Sequence, residues 1–298
     1  MKTGHHLMFS KATFLHLRLP FSYFLLPVYL FSLSQAVTIN WYNAVVIFIA
    51  LHFFIYPGSN IYNSFMDKDT GSIGALKNPP PVTIQLYYAS ILIDCAGLLL
   101  TLLINVQMFF LTILYIAVSK AYSWDKIRLK RYAYGGWLVV MLFQGGYTYL
   151  LVNMCIENNF TVEWFTQKNI LAIVLASLLI GAYYPLTQIY QHEEDSERGD
   201  YTISYRLGIK GTFIFSAALF CIATALAWKY FFSFYSALHF QVFIICLAPV
   251  IIYFFYWFIS VLKNQLKADF TNAMRMTFIS STCLIICYSL LLYINRQL

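Results

Sequence analysis

The chain has 298 residues, of which 60% are hydrophobic and only 10% charged, against about 25% charged in an ordinary soluble domain. So little charge cannot screen so much apolar side chain from water, which excludes a soluble globule and makes lipid the working solvent. The net charge of +7 sorts between loops in a way that reports membrane topology, so nucleic-acid binding is an unneeded explanation.

A helix crossing the bilayer core takes about 20 residues. Nine apolar runs qualify, at roughly 15–34, 41–65, 82–104, 106–122, 132–155, 169–190, 211–232, 237–261 and 274–294. Lipid offers no partner for a free amide, so each run is predicted to be helical. A membrane barrel would alternate polar and apolar residues, whereas Val45–Phe54 and Ala217–Ala227 are apolar without alternation. The first run sits where a signal peptide would, but it lacks a small-residue cleavage site and contains Pro20 and Pro27. It is read as a mature helix. No fixed-period repeat, low-complexity tract or long polar linker divides the chain, and 1–298 is predicted to form one membrane domain.

The six cysteines (Cys95, Cys155, Cys221, Cys246, Cys283 and Cys287) fall almost entirely in apolar runs and form no C-x-x-C pair. They read as small buried side chains. His5-His6 reads as part of a tail, not as a metal site, and the Asn159-Phe160-Thr161 tripeptide carries no weight.

Lys and Arg are retained on the cytoplasmic side of a membrane protein. With the N-terminus inside, all but Lys168, Lys229 and Arg296 of the 19 Lys and Arg fall in cytoplasmic segments. That asymmetry supports nine crossings, an inside N-terminus and an outside C-terminus, and a bacterial inner membrane is the expected location. Acids follow the same side: of the 12 Asp and Glu, only Glu157 and Glu163 lie outside, and Asp94 falls within the third run. One surface that gathers acids and bases together suits a metal-bound phosphate, the acids taking the cation and the bases the remaining anionic charge.

Three polar segments carry the chemistry. The first closes the second run, Ser59-Asn60-Ile61-Tyr62-Asn63-Ser64-Phe65-Met66-Asp67-Lys68-Asp69, with Asn60, Asn63 and Asp67 spaced three and four apart on one helix face. Mg²⁺ wants oxygen ligands and usually takes one or two carboxylates plus substrate phosphates; a polar helix end at the membrane surface is the plainer alternative. The second joins runs four and five, Tyr122-Ser123-Trp124-Asp125-Lys126-Ile127-Arg128-Leu129-Lys130-Arg131. It suits a polyphosphate, or is simply a positive-inside loop. The third follows run six, Gln191-His192-Glu193-Glu194-Asp195-Ser196-Glu197-Arg198-Gly199-Asp200-Tyr201-Thr202, then Arg206-Leu207-Gly208. Its acids repel one another unless a cation or basic partner is present, and a solvated acidic loop is the alternative.

In order and placement these segments resemble the UbiA family of polyprenyl transferases. That family has N-D-x-x-D-x-x-x-D after its second helix and D-x-E-D-D-x-x-x-G-x-x-[ST] after its sixth. In the third segment Gln191 takes the leading Asp position, Glu193, Glu194 and Asp195 follow in register, and Gly199 and Thr202 match as well. In the first, one register puts Asn60, Asn63 and Asp67 on the three Asp positions; a shifted one puts Asn63 on the leading Asn and Asp67 on the middle Asp. Both use Asn63 and Asp67. The middle segment resembles the family's Tyr-Ser/Thr-x-x-x-x-x-Leu-Lys-Arg loop, and Leu17-Arg18-Leu19-Pro20 its opening. The likeness runs from about residue 15 to 294.

The resemblance implies an all-α membrane protein of about nine helices around a central cavity. It implies a prenyltransferase that moves an isoprenyl group from a polyprenyl diphosphate to a small aromatic or lipid-precursor acceptor, with Mg²⁺ as cofactor. Asn60, Asn63, Asp67, Asp69, Gln191, Glu194 and Asp195 would serve as metal ligands. Lys77, Tyr122, Lys126, Arg128, Lys130, Arg198 and Arg206 would hold the diphosphate, and Asn63, Asp67, Asp195 and Lys130 would be catalytic. The chain departs from the pattern in carrying amides at Asn60, Asn63 and Gln191, which reduces the carboxylates available to a cation; Asp69, Glu194 and Asp200 are candidates to compensate. Three alternatives stand beside this reading: a prenyl diphosphate cyclase, a transferase to a non-aromatic acceptor, and a secondary transporter or non-catalytic membrane protein. Transporters place ionisable groups near the midplane, whereas here they crowd one surface.

Overall fold

The computed structural model describes residues 10–68 and 70–297, so Asp69 and the His5-His6 pair lie outside the described residues. Nine helices among those described are long and apolar enough to cross a membrane: α1 (Lys11–Gln35), α2 (Trp41–Asp67), α3 (Ile84–Leu102), α4 (Val106–Ser123), α5 (Ala133–Glu157), α6 (Gln167–Thr187), α7 (Ile203–Phe234), α8 (Ala237–Lys263) and α9 (Phe270–Gln297). The fold is that of an all-α membrane protein. Outward-facing Ile245, Ile252 and Tyr256 on α8 are exposed, which lipid tolerates and water would not.

The helices depart from ideal geometry where the sequence gives a local reason. Arg18 takes a left-handed backbone (φ 47°) and splits α1 into Lys11–His16 and Leu19–Gln35. In α2, Ala50–Ile55 widens to a π-helix immediately before Pro57, whose ring nitrogen cannot donate to the helical ladder. The α7 helix begins at Ile203, earlier than the apolar run predicts, because a short turn precedes Gly208 (φ 67°, ψ 172°). Only glycine takes that backbone without strain.

The chain divides into two compact units, Met1–Tyr23 with Val45–Leu129, and Phe24–Ala44 with Lys130–Leu298. In the first, Leu17, Ile61, Leu86, Ala89 and Ile93 form a small core. Gly97 of α3 meets Phe54 and Ile55 of α2, where a Cβ would come within 2.5 Å of Ile55 Cδ1. In the second, Gly145 lies in a π-helical stretch of α5, Met141–Tyr147. A Cβ there would fall 2.7 Å from the Ala176 carbonyl oxygen, so α5 and α6 touch backbone to backbone, as small residues permit in membranes.

Several polar groups away from the site are satisfied internally. Trp164 Nε1 donates to Asn153 Oδ1 at 3.0 Å, and Asn153 Nδ2 donates to the Ser32 carbonyl at 2.9 Å. Tyr230 donates to Gln35 Oε1 at 2.8 Å, and Asn295 Nδ2 to the Ser34 carbonyl at 2.7 Å. These bonds fasten the end of α1 to α5, α7 and α9 within the second unit.

Candidate functional site

In the first unit, the last turns of α2 present Asn60, Asn63 and Asp67 together, with Asn60 and Asp67 buried. Left-handed Lys68 (φ 53°) ends the helix there, its N–H bonding to the Ser64 carbonyl. Asn63 Nδ2 donates to Ser123 Oγ at 2.8 Å, which ties the end of α2 to the end of α4. Arg128 places one guanidinium nitrogen 3.6 Å from Asp67 Oδ1 and another 2.9 Å from Asp125 Oδ1. Sequence reasoning missed Arg18 as a site residue. Its Nη2 donates to the Asn60 carbonyl at 3.1 Å and to Asn63 Oδ1 at 3.3 Å, from a buried position. The opening Leu-Arg-x-Pro was the available signal, but it did not say where the guanidinium goes.

Not every predicted basic residue joins this cluster. Lys77 is exposed, its carbonyl accepting from Ser72. Lys126 is exposed too, its ammonium 5.6 Å from the Trp124 ring centre. Tyr122 is half-buried in the last turn of α4.

In the second unit, a helix at His192–Arg198 follows Gln191, with Glu193, Glu194 and Asp195 in its first turn. Carboxylates are favoured there by the helix dipole. Gly199 ends the helix in a left-handed conformation (φ 72°). The Asp200 N–H reaches back to the Asp195 carbonyl at 2.9 Å, the closure typical of a glycine-stopped helix. Thr202 Oγ1 then donates to Asp195 Oδ2 at 3.0 Å. The two positions that match the family pattern, Gly199 and Thr202, therefore hold one carboxylate in place. Tyr132 and Ala133 pair in parallel with Tyr201 and Thr202, which brings Lys130 Nζ to 3.7 Å from Asp200 Oδ2, an almost wholly buried carboxylate. Arg198 lies 3.6 Å from Glu194, one helical turn away. Arg206 is exposed, stacked 5.3 Å from the Tyr134 ring.

His192, Ser204 and Thr212 form a relay that the sequence did not announce. His192 Nε2 lies 2.8 Å from Ser204 Oγ, which is 3.0 Å from Thr212 Oγ1. Thr212 also donates to the Gly208 carbonyl at 2.8 Å, so the relay braces the bend in α7. Burial holds the His192 imidazole below its ordinary pKa.

Asp94, an acid inside a span, is a packing element of the first unit. Lys120 Nζ lies 2.6 Å from Asp94 Oδ2 and 4.0 Å from the centre of the Tyr62 ring. Gly58 leaves room for this, since a Cβ there would collide with Asp94 Oδ1. Breaking a buried pair strands one charge, at a cost of about 3–5 kcal/mol. Asp94→Asn should therefore lower the melting temperature in detergent sharply, and adding Lys120→Met should recover most of the loss. An unchanged melting temperature in Asp94→Asn would show that the pair carries no stability.

The second unit also contains an apolar cleft lined by residues that include Phe24, Phe31, Tyr183, Phe220, Leu247 and Tyr288. Ser280 and Ser281 are among its few polar lining groups.

Among the described residues, no group of three or more His, Cys, Asp or Glu is arranged to hold a metal ion. Mg²⁺ coordination would therefore draw on amide oxygens and substrate phosphates, as that ion readily does. Gln191, Glu194 and Asp195, on one short segment with Asp195 oriented by Thr202, fit such a role. At the end of α2, Asp67 stands beside Arg128, which also pairs with Asp125, and Asn63 stands beside Arg18.

The UbiA prenyltransferase family matches residues 24–282, and the chain belongs to that family. Among solved structures, a UbiA homolog from Archaeoglobus fulgidus bound to DMAPP and Mg²⁺ aligns at 17% identity, covering 94% of this chain and 99% of its own, with a TM-score of 0.65. The apo structure of a UbiA homolog from Aeropyrum pernix K1 aligns at 15% identity, covering 90% and 98%, with a TM-score of 0.64. A digeranylgeranylglyceryl phosphate synthase aligns at 17% identity over 96% and 98%, with a TM-score of 0.59. Identities this low establish the shared fold. Among curated proteins, none matches the sequence.

Proposed function

We propose that this protein is a membrane prenyltransferase that moves an isoprenyl group from a polyprenyl diphosphate to a small aromatic or lipid-precursor acceptor. The observation that carries this reading is the gathering of oriented carboxylates with cationic partners at the polar helix ends: Asp67 with Arg128, and Asp195 held by Thr202 beside the Lys130–Asp200 pair. Membership of the family supports it, as does a homolog of the same fold bound to GPP and Mg²⁺.

In this reading the allylic C–O bond breaks and the diphosphate leaves with the electron pair. Bound Mg²⁺ would neutralise charge developing on the leaving oxygens. Gln191, Glu194 and Asp195 are the proposed ligands, with Asn60, Asn63, Asp67 and Asp69 as further oxygen donors on the α2 side. Arg128, Lys130 and Arg198, with Tyr122, bind diphosphate oxygens; Lys77, Lys126 and Arg206 form a more exposed basic surface that attracts the anion. Fixed positive charge aimed at a leaving group stabilises the transition state more than the ground state. The apolar cleft of the second unit takes the hydrocarbon chain, away from water that would quench the allylic cation. The acceptor then attacks that cation and loses a proton. The chemistry is placed at the cytoplasmic face of the membrane, with the N-terminus inside and the C-terminus outside.

Purified protein in nanodiscs with Mg²⁺ and isoprenyl diphosphates of several lengths should release diphosphate only when a suitable acceptor is present. Release without any acceptor would indicate cyclisation or hydrolysis. Uptake of an intact solute into liposomes, without release, would indicate a transporter.

A further inference from the structure

The apolar cleft of the second unit has a direction. Asn295 Nδ2 of α9 donates to the Ser34 carbonyl, and Lys168 Nζ at the start of α6 donates to the Gln35 carbonyl at 3.0 Å. The end of α1 thus meets the end of α9 and the start of α6, so α1 and α9 run one way and α6 the other. Each of these helices lends the cleft a stretch of about two turns: Phe24 to Phe31, Ser280 to Tyr288 and, in the reverse sense, Tyr183 to Ala176. At a rise of about 1.5 Å per residue, the cleft is about 10–12 Å long.

Its two ends differ. At one, Phe24 and Tyr183 are only half-buried, and Ser280 and Ser281 lie at the same level. Beyond Tyr183 the chain leads directly into Gln191 and the acidic segment. At the other end Phe31, Ala176 and Tyr288 are almost wholly buried. The Phe31 and Tyr288 rings meet with centres 4.9 Å apart, and Tyr149 and Tyr230 back Phe31 at 5.1 and 6.2 Å. Tyr230 is fixed in turn by its bond to Gln35. Rings packed this way yield poorly to an intruding group, because a close-packed core accommodates added methylenes only with strain.

We propose that Phe31 and Tyr288 form a floor that selects the length of the donor, so that the preferred isoprenyl chain is of the geranyl class. An isoprene unit adds four C–C bonds to the chain and, at about 1.5 Å per bond in a zigzag, advances it about 5 Å. Two units fill the cleft, and a third meets the rings. The proposal rests on the prenyl-transfer reading and names the donor's length within it. The diphosphate lies toward the acidic segment, and the tail points from Tyr183 to the floor.

The test uses the full chain in nanodiscs with Mg²⁺ and non-hydrolysable thiolo analogues of dimethylallyl, geranyl, farnesyl and geranylgeranyl diphosphate. Calorimetry reads the affinity, with uptake by empty nanodiscs subtracted. Affinity should rise about tenfold or more from dimethylallyl to geranyl, through burial of the second unit. It should fall about tenfold or more from geranyl to farnesyl, through overpacking at the floor. Phe31→Ala and Tyr288→Ala should each move the longest tolerated chain from geranyl to farnesyl. Ala176→Leu, which removes no ring, should do the reverse and weaken the geranyl analogue about tenfold relative to the dimethylallyl one. A wild-type affinity that stays level or rises through geranylgeranyl would overturn this proposal alone, and that measurement does not depend on any variant folding. Failure of all four analogues to bind would overturn the prenyl-transfer reading together with it.

Discussion

Asp195→Asn is expected to reduce prenyl transfer by at least about 10²–10³-fold, the loss seen when one preorganised charge-stabilising contact is removed from an active site, while the protein stays folded. The change keeps the size of the side chain, and Thr202 Oγ1 can still donate to an amide oxygen where it now donates to Asp195 Oδ2 at 3.0 Å. The backbone closure from the Asp200 N–H to the Asp195 carbonyl does not involve the side chain, so the helix stop at Gly199 survives. What disappears is the negative charge that a cation-bound diphosphate requires. Asp67→Asn should also abolish transfer, for a different reason, because it removes the buried one of the two carboxylates that flank Arg128, at 3.6 Å. Product formation from a labelled isoprenyl diphosphate, read beside thermal melting, checks both. Wild-type rates in both variants would refute the site.

Lys130→Met should damage stability and transfer together, and a second substitution should separate the two. Lys130 lies 3.7 Å from Asp200 Oδ2, and that carboxylate is only 2% exposed. Removing one member of a buried pair costs about 3–5 kcal/mol, chiefly through the charge left behind, so the single variant should melt much earlier than wild type. Lys130→Met with Asp200→Asn removes both charges and should restore most of the melting temperature. Transfer should remain at least tenfold down, because the ammonium proposed to bind the leaving diphosphate is still missing. Restoration of activity along with stability would reduce Lys130 to a structural role.

The nine helices were legible because hydropathy is a local sum: about 20 apolar residues in a row span the bilayer whatever their neighbours do. The boundaries were less legible. Apolarity alone starts α7 near residue 211, whereas the helix begins at Ile203, since the turn before Gly208 is amphipathic and contributes little to a hydropathy window. The spacing of Asn60, Asn63 and Asp67 placed them correctly on one face, because helical periodicity is also local. The glycine and threonine after the acidic run had a readable purpose too, since Gly199, Thr202 and Asp195 lie within a few residues of one another.

Contacts between residues distant in sequence were not legible. Nothing near Arg18 indicates that it reaches Asn60 and Asn63, 42 and 45 residues away, because its direction depends on a left-handed break in α1. Asp94 stood out as an acid in a span, yet its partner Lys120 lies on another helix and reads in sequence as one more positive-inside charge. Residue order by itself determined that the chain is a membrane bundle with its charged chemistry at the polar helix ends, since solvent preference and helical repeat act over neighbouring residues. Only the tertiary structure decided which charges neutralise one another and which Asn63 atom faces Arg18, because those depend on how separate helices pack.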